Sequence, residues 1–319
     1  MRALLLASLA AAASGCVYVV GPDHVLRPRR DAPTTGLALD PAAVARAVPG
    51  TAVERWPVVG HDGTPLYALR ARHAAPDADR LTVLYFGGNG FRMSRLGMKK
   101  LVPLLRLGPD VVLVDHRGHG RSEGEASVDA LKADALAVFD ALAAEVGAAR
   151  VVVHGHSLGS FLASHVGAHR EAGGVALENS ATTTDAYARS RYDFYPILRP
   201  FVRLRVDPEL EGEGSLGPVG QITEPLLILA GAQDARIPAW MSRELYAASP
   251  LPEGRKRLAV FERAGHNRVP FDPSFPGVYR AFLDLVRAEA ARWPAGGRRQ
   301  RGRLSPRRDP ARARPRASR

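Results

Sequence analysis

The segment Val151-Val152-Val153-His154-Gly155-His156-Ser157-Leu158-Gly159 is the most informative part of this 319-residue chain. Its three β-branched residues predict a strand, and apolar residues at helical spacing from Leu158 to His169 predict a helix directly after it. Between them, Gly-His-Ser-Leu-Gly matches G-x-S-x-G, a sharp strand-to-helix turn that exposes a serine hydroxyl. Glycines suit this turn because they carry no Cβ atom and allow close approach. Ser157 is therefore a candidate nucleophile.

Apolar runs and helical periodicities alternate from Leu81 onward, which predicts an α/β fold: a mostly parallel twisted sheet with helices on both faces. An antiparallel pair of strands precedes them, joined at Asp62-Gly63. The predicted strands are Ala52–Val59, Pro65–His73, Leu81–Phe86, Val111–Val114, the run from Val151, Gly174–Leu177, Leu226–Ala230 and Arg257–Phe261. The predicted helices include segments from Val128 to Val146, from Pro238 to Ala248 and from Val278 to Trp293. In such a sheet, functional groups gather at the carboxyl ends of the strands.

Two further chemical side chains follow predicted strands. A serine hydroxyl needs an adjacent base, and the base needs an orienting group. Asp234 follows the strand that ends at Ala230, and His266 follows the strand that ends at Phe261. Alone, such an Asp is more often a helix cap and such a His a loop residue, but with Ser157 their order predicts a Ser-His-Asp triad. Glu178, beyond the strand that follows the serine turn, is the alternative acid.

Acyl transfer also needs hydrogen-bond donors that stabilise the oxyanion. The predicted donors are the backbone N–H of Leu158, directly after the nucleophile, and that of Asn89 in the Gly87–Gly90 loop. A phosphate-binding loop would instead require G-x-x-x-x-G-K-[ST], which this loop lacks. The nearby histidines, namely His116, His119, His154 and His156, are expected to pack or hydrogen-bond. No segment shows metal-ligand spacing such as H-E-x-x-H, so no metal site is predicted.

Together these motifs resemble the α/β-hydrolase superfamily, and more narrowly its membrane-associated serine hydrolases with a His-Gly-Asn-x-Gly oxyanion loop. The resemblance covers about residues 50–293. It rests on the order of six motifs: Tyr85–Gly90, Asp115–Ser122, Gly155–Gly159, Leu177–Ser180, Gly231–Asp234 and Gly265–Asn267. Two residues depart from the pattern of this loop. Gly87 stands where the pattern has His, and Phe91 stands where the pattern has its final Gly.

The resemblance implies a serine hydrolase of the esterase or lipase type. It would hydrolyse a small-molecule ester or lipid, or a thioester or amide, through an acyl-enzyme and without a cofactor. In this superfamily a cap is inserted where residues 181–223 lie. Their aromatic residues and arginines between Tyr187 and Leu204 fit either a lid over an acyl pocket or a helix packed on the body.

The net charge of +12 is concentrated at the C-terminus. From Arg298 to Arg319 there are ten arginines and one acid, Asp309, so this part supplies +9 and the remaining chain +3. No groove-reading motif accompanies these arginines, and no nucleic-acid partner is predicted. Residues 296–319 are predicted to be a disordered, solvated tail, with attraction to an anionic membrane surface as a second interpretation.

The N-terminus has the pattern of an export signal. Arg2 precedes an apolar run from Ala3 to Ala13 that is too short to span a bilayer, and small residues then precede Cys16, the only cysteine. This resembles a bacterial lipobox and predicts a signal peptide at residues 1–15 and acylation of Cys16, for example by palmitate. The alternative is an ordinary signal peptide with a chance cysteine.

The processed protein is predicted to be a lipoprotein anchored to a membrane of the bacterial cell envelope. Residues 16–45 would be its lipidated N-terminus and linker, and residues 46–295 its α/β-hydrolase domain. Two other functions stay open: a peptidase or amidase of the same fold, and a catalytically silent, envelope-tethered binding module. The binding module has no need of Ser157, Asp234 and His266 together.

Overall fold

The computed structural model of the chain describes residues 16–26, 28–32, 35–193 and 202–292. The strands are β1 Cys16–Val20, β2 Thr51–Val59, β3 Pro65–His73, β4 Thr82–Phe86, β5 Asp110–Val114, β6 Val151–His156, β7 Gly174–Glu178, β8 Val202–Val206, β9 Leu226–Gly231 and β10 Lys256–Phe261. The helices are α1 Pro22–Val25, α2 Pro41–Ala47, α3 Met93–Leu105, α4 Val128–Val146, α5 Leu158–His169, α6 Thr184–Asp193, α7 Leu216–Val219, α8 Ala239–Ala248 and α9 Phe275–Ala290. Short 3-10 helices lie at Ala148–Arg150 and Val269–Phe271.

The central sheet has eight strands in the order β10-β9-β7-β6-β4-β5-β3-β2. Strands β4, β5, β6, β7, β9 and β10 pair in parallel, whereas β3 is antiparallel to both β2 and β5. All residues of β4, β5, β6, β7 and β9 are buried. Strands covered on both faces need apolar side chains throughout, which explains their continuous hydrophobic runs. The predicted fold class is confirmed.

Helices cover both faces of this sheet and form two apolar cores. Helices α2, α3 and α9 pack on one face, where Leu101 and Leu283 are buried. Helices α4, α5 and α8 pack on the other, where Leu162 and Leu245 are buried. The two layers hold the sheet rigid, so that the strand ends at its carboxyl edge keep fixed positions.

The first described residues correct one prediction. Residues 16–45 were expected to form a linker, but their described part packs on the domain. Strand β1 pairs in parallel with β8 in a separate two-stranded sheet, and Leu26 and Leu39 are each only 4% exposed. The reason is physical: a few leucines within this Pro-rich segment reach apolar surface of the body, and burying them favours contact over free solvation.

The predicted cap contains regular structure in its described part: α6, β8 and α7. Residues 194–201 of the cap, the predicted signal peptide at residues 1–15 and the predicted tail at residues 296–319 lie outside the described residues. Among the helices described, none has the length and hydropathy that crossing a membrane requires.

Candidate active site

Ser157 occupies a strained turn between β6 and α5. Its φ is 55° and its ψ is −119°, a backbone conformation that non-glycine residues rarely adopt. A Cβ atom on Gly155 would lie 2.1 Å from the carbonyl oxygen of Gly159, and one on Gly159 would lie 2.1 Å from that of Phe86. Both flanking positions therefore require glycine, as the motif predicts. Strain of this kind is typical of functional sites.

Asp234 and His266 lie together, as the sequence predicts. Atom Oδ2 of Asp234 lies 2.7 Å from Nδ1 of His266. Its other oxygen, Oδ1, accepts hydrogen bonds from the backbone N–H groups of Arg236 and Ile237 at 2.8 and 3.0 Å. The carboxylate thus stabilises its own turn with one oxygen and orients the imidazole with the other. With Nδ1 engaged, Nε2 of His266 is the nitrogen left for a proton transfer.

Glu178, the alternative acid, faces other groups. Its side chain is fully buried, and Oε1 lies 3.1 Å from Nζ of Lys100. Its Oε2 lies 3.3 Å from Nε2 of His154. Burial alone would raise the pKa of Glu178, but the Lys100 ammonium, together with His156 and His154, outweighs burial and holds that pKa below its ordinary value. Glu178 is therefore a buried counter-ion, and Asp234 is the carboxylate that contacts the imidazole.

Ser157 and His266 line the same cavity, which has a volume of about 530 Å³. Within the described residues, no hydrogen bond joins the Ser157 hydroxyl to the imidazole. Catalytic hydrogen bonds are often long in unliganded enzymes and shorten when substrate binds. The three predicted triad residues thus meet at one edge of the sheet, with one of their two contacts formed.

The predicted oxyanion loop packs directly on the nucleophile. A Cβ atom on Gly88 would lie 3.1 Å from Cβ of Ser157, so this backbone approaches the serine closely. Asn89 lines the same cavity, next to Ser157. Leu158 is the first residue of α5, so its N–H is one of those that the helix leaves unused.

The two departures from the loop pattern compensate each other. A Cβ atom on Gly87 would lie 2.1 Å from Cγ of Phe91, so the buried Phe91 ring occupies the space that a side chain at position 87 would need. A histidine from another strand end contacts the loop instead. His116, beyond β5, lies with Nε2 2.8 Å from the Gly87 carbonyl oxygen. Burial lowers the pKa of His116 to about 4, so its imidazole is neutral and Nε2 donates.

The sequence assigned no individual role to Asn179, which fixes the His266 loop. Asn179 has a positive φ of 49°. Its Nδ2 donates to the His266 carbonyl oxygen at 2.7 Å, and its Oδ1 accepts from the Gly231 N–H at 2.8 Å. His156 donates from Nε2 to the same His266 carbonyl at 2.8 Å. Asn179 stands directly after Glu178 in a strand-end motif, but only the fold reveals these long-range partners.

One group of described side chains has metal-ligand spacing: His61, Asp62 and Asp134. The Arg117 guanidinium lies 2.7 Å from a carboxylate oxygen of each aspartate. A cation of the chain therefore already fills this cluster, and none of the three residues lines the Ser157 cavity.

Comparison with solved structures establishes the architecture. The esterase Pf2001 of Pyrococcus furiosus matches with a TM-score of 0.62 over 81% of this chain and 98% of its own, at 18% identity. The chain has the α/β-hydrolase fold. Within it, residues 90–207 match the family model described as serine aminopeptidase, S33.

The chain also resembles other proteins in sequence. An uncharacterized protein of Mycobacterium tuberculosis is 29% identical over 71% of this chain and 75% of its own length. The lysophosphatidylserine lipase ABHD12 of Macaca fascicularis is 31% identical over 68% of this chain and 57% of its own length. The family match and these relatives support a hydrolase of the α/β-hydrolase superfamily.

Proposed function

We propose that the protein is a serine hydrolase that cleaves carboxylic esters through an acyl-enzyme on Ser157. The observation that carries this proposal is the 2.7 Å contact between Asp234 and His266, because His266 lines the same cavity as the strained Ser157. A buried carboxylate on Nδ1 selects the imidazole tautomer whose Nε2 can accept a proton. That is the arrangement a weakly nucleophilic hydroxyl requires.

The reaction takes place in two acyl transfers. Ser157 Oγ attacks the ester carbonyl as its proton passes to Nε2 of His266, and the backbone N–H groups of Leu158 and Asn89 stabilise the oxyanion. The tetrahedral intermediate collapses with loss of the alcohol, which takes the proton from His266. Water then attacks the acyl-enzyme with His266 as base, which releases the acid and restores the Ser157 hydroxyl.

The comparisons support ester substrates. Pf2001 is described as an esterase and ABHD12 as a lysophosphatidylserine lipase, which cleaves a lipid. The matching family model is described as serine aminopeptidase, so cleavage of an amide is the second candidate function. Ester cleavage and amide cleavage pass through the same kind of acyl-enzyme, and they differ in the leaving group.

Hydrolysis of p-nitrophenyl acyl esters and aminoacyl anilides by the purified protein tests the proposal. We expect the esters to be cleaved with the higher kcat/KM. Ser157→Ala should lose about a thousandfold or more in kcat, because no other group replaces the nucleophile. The matched control is Ser127→Ala, which removes the cap of α4 and should cost about 1 kcal/mol of stability with little effect on kcat. Binding of esters without turnover would favour the silent binding module.

We also propose that Cys16 is acylated after removal of residues 1–15, which anchors the hydrolase to a membrane of the cell envelope. The apolar run after Arg2 and the small residues before the only cysteine support this. Several buried acyl chains at about 0.8 kcal/mol per CH₂ would hold it firmly. In bacteria that express the chain, palmitate labelling should be lost in Cys16→Ser and retained in wild type. Labelling that survives the substitution would refute the anchor.

A further inference from the structure

The N-terminal strap, defined here as residues 16–26 and 28–32, is fastened at both ends. At one end β1 pairs with β8 of the cap. At the other, the Gly120 N–H donates to the Arg29 carbonyl, and the Asp31 N–H donates to the Gly120 carbonyl, each at 2.8 Å. The Asp31 carboxylate lies 3.0 Å from the Arg92 guanidinium in an ion pair. Between these fastenings, His24, Val25 and Leu26 line the substrate cavities.

The Ser157 cavity has a basic arm, which extends from the nucleophile between the strap and α3. Its lining residues include six cationic side chains and, among the described residues, no carboxylate. The six are Arg29, Arg92, Arg95, Lys100, Arg191 and Arg236. Lys100 forms an ion pair with Glu178, and Arg92 forms one with Asp31. Arg29, Arg95 and Arg236 are exposed and form no ion pair with any described residue. Like charges that line one cavity repel one another, and a bound anion relieves the repulsion.

A second, apolar arm begins at the same serine. Val25 of the strap lines it together with Phe161 and Ile237, and Ser157 lines both arms. A further apolar cavity continues from Val25 between Leu26 and Leu162. The strap therefore contributes Arg29 to one arm and Val25 to the other, and the scissile bond would lie where the arms meet.

We propose that the N-terminal strap completes the substrate site, and that the substrate is an ester with an apolar acyl chain and an anionic alcohol half that carries a phosphate or carboxylate. This inference rests on the proposed serine hydrolase. The acyl chain occupies the apolar arm, where each methylene removed from water raises affinity by about fourfold. The anionic half occupies the basic arm, where guanidinium groups bind phosphate or carboxylate oxygens in pairs.

The basic arm is tested with alkyl esters that share one acyl chain: 1-acylglycerol 3-phosphate, 3-acylglycerate and neutral 1-acylglycerol. Wild type should prefer each anionic ester to the neutral one by about tenfold or more in kcat/KM, and salt should weaken this preference. Arg29→Ala should raise KM for the anionic esters about tenfold more than for the neutral ester. The matched control is Arg30→Ala, because Arg30 donates to the Gly124 carbonyl and does not line the cavity. The ratio of the two anionic esters then distinguishes phosphate from carboxylate.

The apolar arm is tested with p-nitrophenyl esters of increasing chain length. Val25→Trp should shift the preferred chain to shorter esters, because the indole fills the arm. Val19→Trp is the control: Val19 lies on β1 of the same strap and is 45% exposed, so its variant should keep the wild-type profile.

Equal rates on neutral and anionic esters, with Arg29→Ala behaving like Arg30→Ala, would overturn the inference and leave the hydrolase intact. An unchanged chain-length profile in Val25→Trp would overturn the role of the strap in the apolar arm. Failure of the proposed function has a different signature, because wild type and Ser157→Ala would then behave alike on every ester.

Discussion

At the scale of single residues, two buried carboxylates at neighbouring strand ends have different environments. Asp234 contacts the imidazole of His266, whereas Glu178 contacts the ammonium of Lys100. Both residues follow strands in the same pattern, so sequence alone keeps both open as the triad acid. Which carboxylate contacts the imidazole depends on the direction of each side chain, and the packing of the sheet determines that direction.

Asp234→Asn should lower kcat by about a thousandfold to ten-thousandfold, because an amide favours the wrong imidazole tautomer while the turn is kept. Glu178→Gln should instead destabilise the protein by about 3–5 kcal/mol, because it leaves the Lys100 ammonium buried without its counter-charge. Ester hydrolysis per titrated active site and urea unfolding separate the two effects. If Glu178→Gln abolished kcat and Asp234→Asn did not, the assignment of the acid would be wrong.

At the scale of elements, the turn at Ser157 depends on glycines that pack directly against the backbone of neighbouring residues. Gly159→Ala should destabilise the protein by about 1–3 kcal/mol, because its Cβ would overlap the Phe86 carbonyl. Gly277→Ala is the matched control within α9, where nothing lies within 4 Å of the added atom. Better helix propensity should make it more stable than wild type by about 0.5–1 kcal/mol. Urea unfolding measures both, and equal effects would contradict the close packing of the turn.

Elements were predictable from the sequence where their pattern is local. The buried parallel strands are continuous apolar runs, and α4 has regular apolar spacing and the Ser127 cap, so both were found close to their true bounds. Helix α9 begins at Phe275 rather than Val278, because Pro276 suits a first turn. The strap was missed because its few leucines lie in a Pro-rich segment, and their partners are distant in sequence. The contacts of Asn179 cannot be predicted either, because its partners are also distant in sequence.

At the scale of the whole molecule, buried neutral histidines couple stability to pH. Burial lowers the pKa of His116 to about 4, and burial followed by the Lys100 charge lowers the pKa of His156 well below its ordinary value. An unfolded histidine has a pKa of about 6.5. The unfolded chain therefore binds more protons between these values, and stability present above pH 6.5 is lost as the pH falls through 4.

His116→Gln should reduce the loss of stability at acid pH. The free energy of unfolding of wild type should fall between pH 6.5 and 4.5, and the variant should fall less steeply by up to about 1.4 kcal/mol per pH unit. Urea unfolding across this range measures the slope, and the offset at pH 7.5 reports separately on the lost hydrogen bond to Gly87. An identical slope in both proteins would show that His116 does not titrate on unfolding.

The central claim is that the Ser157 hydroxyl is the nucleophile that His266 activates. The most direct measurement is intact-mass and peptide mass spectrometry after exposure to a fluorophosphonate, which phosphonylates activated serines and releases fluoride. We predict a single adduct on Ser157 in wild type, a much slower adduct in His266→Ala and none in Ser157→Ala. Equal labelling of wild type and Ser157→Ala, or an adduct on another serine, would contradict the account.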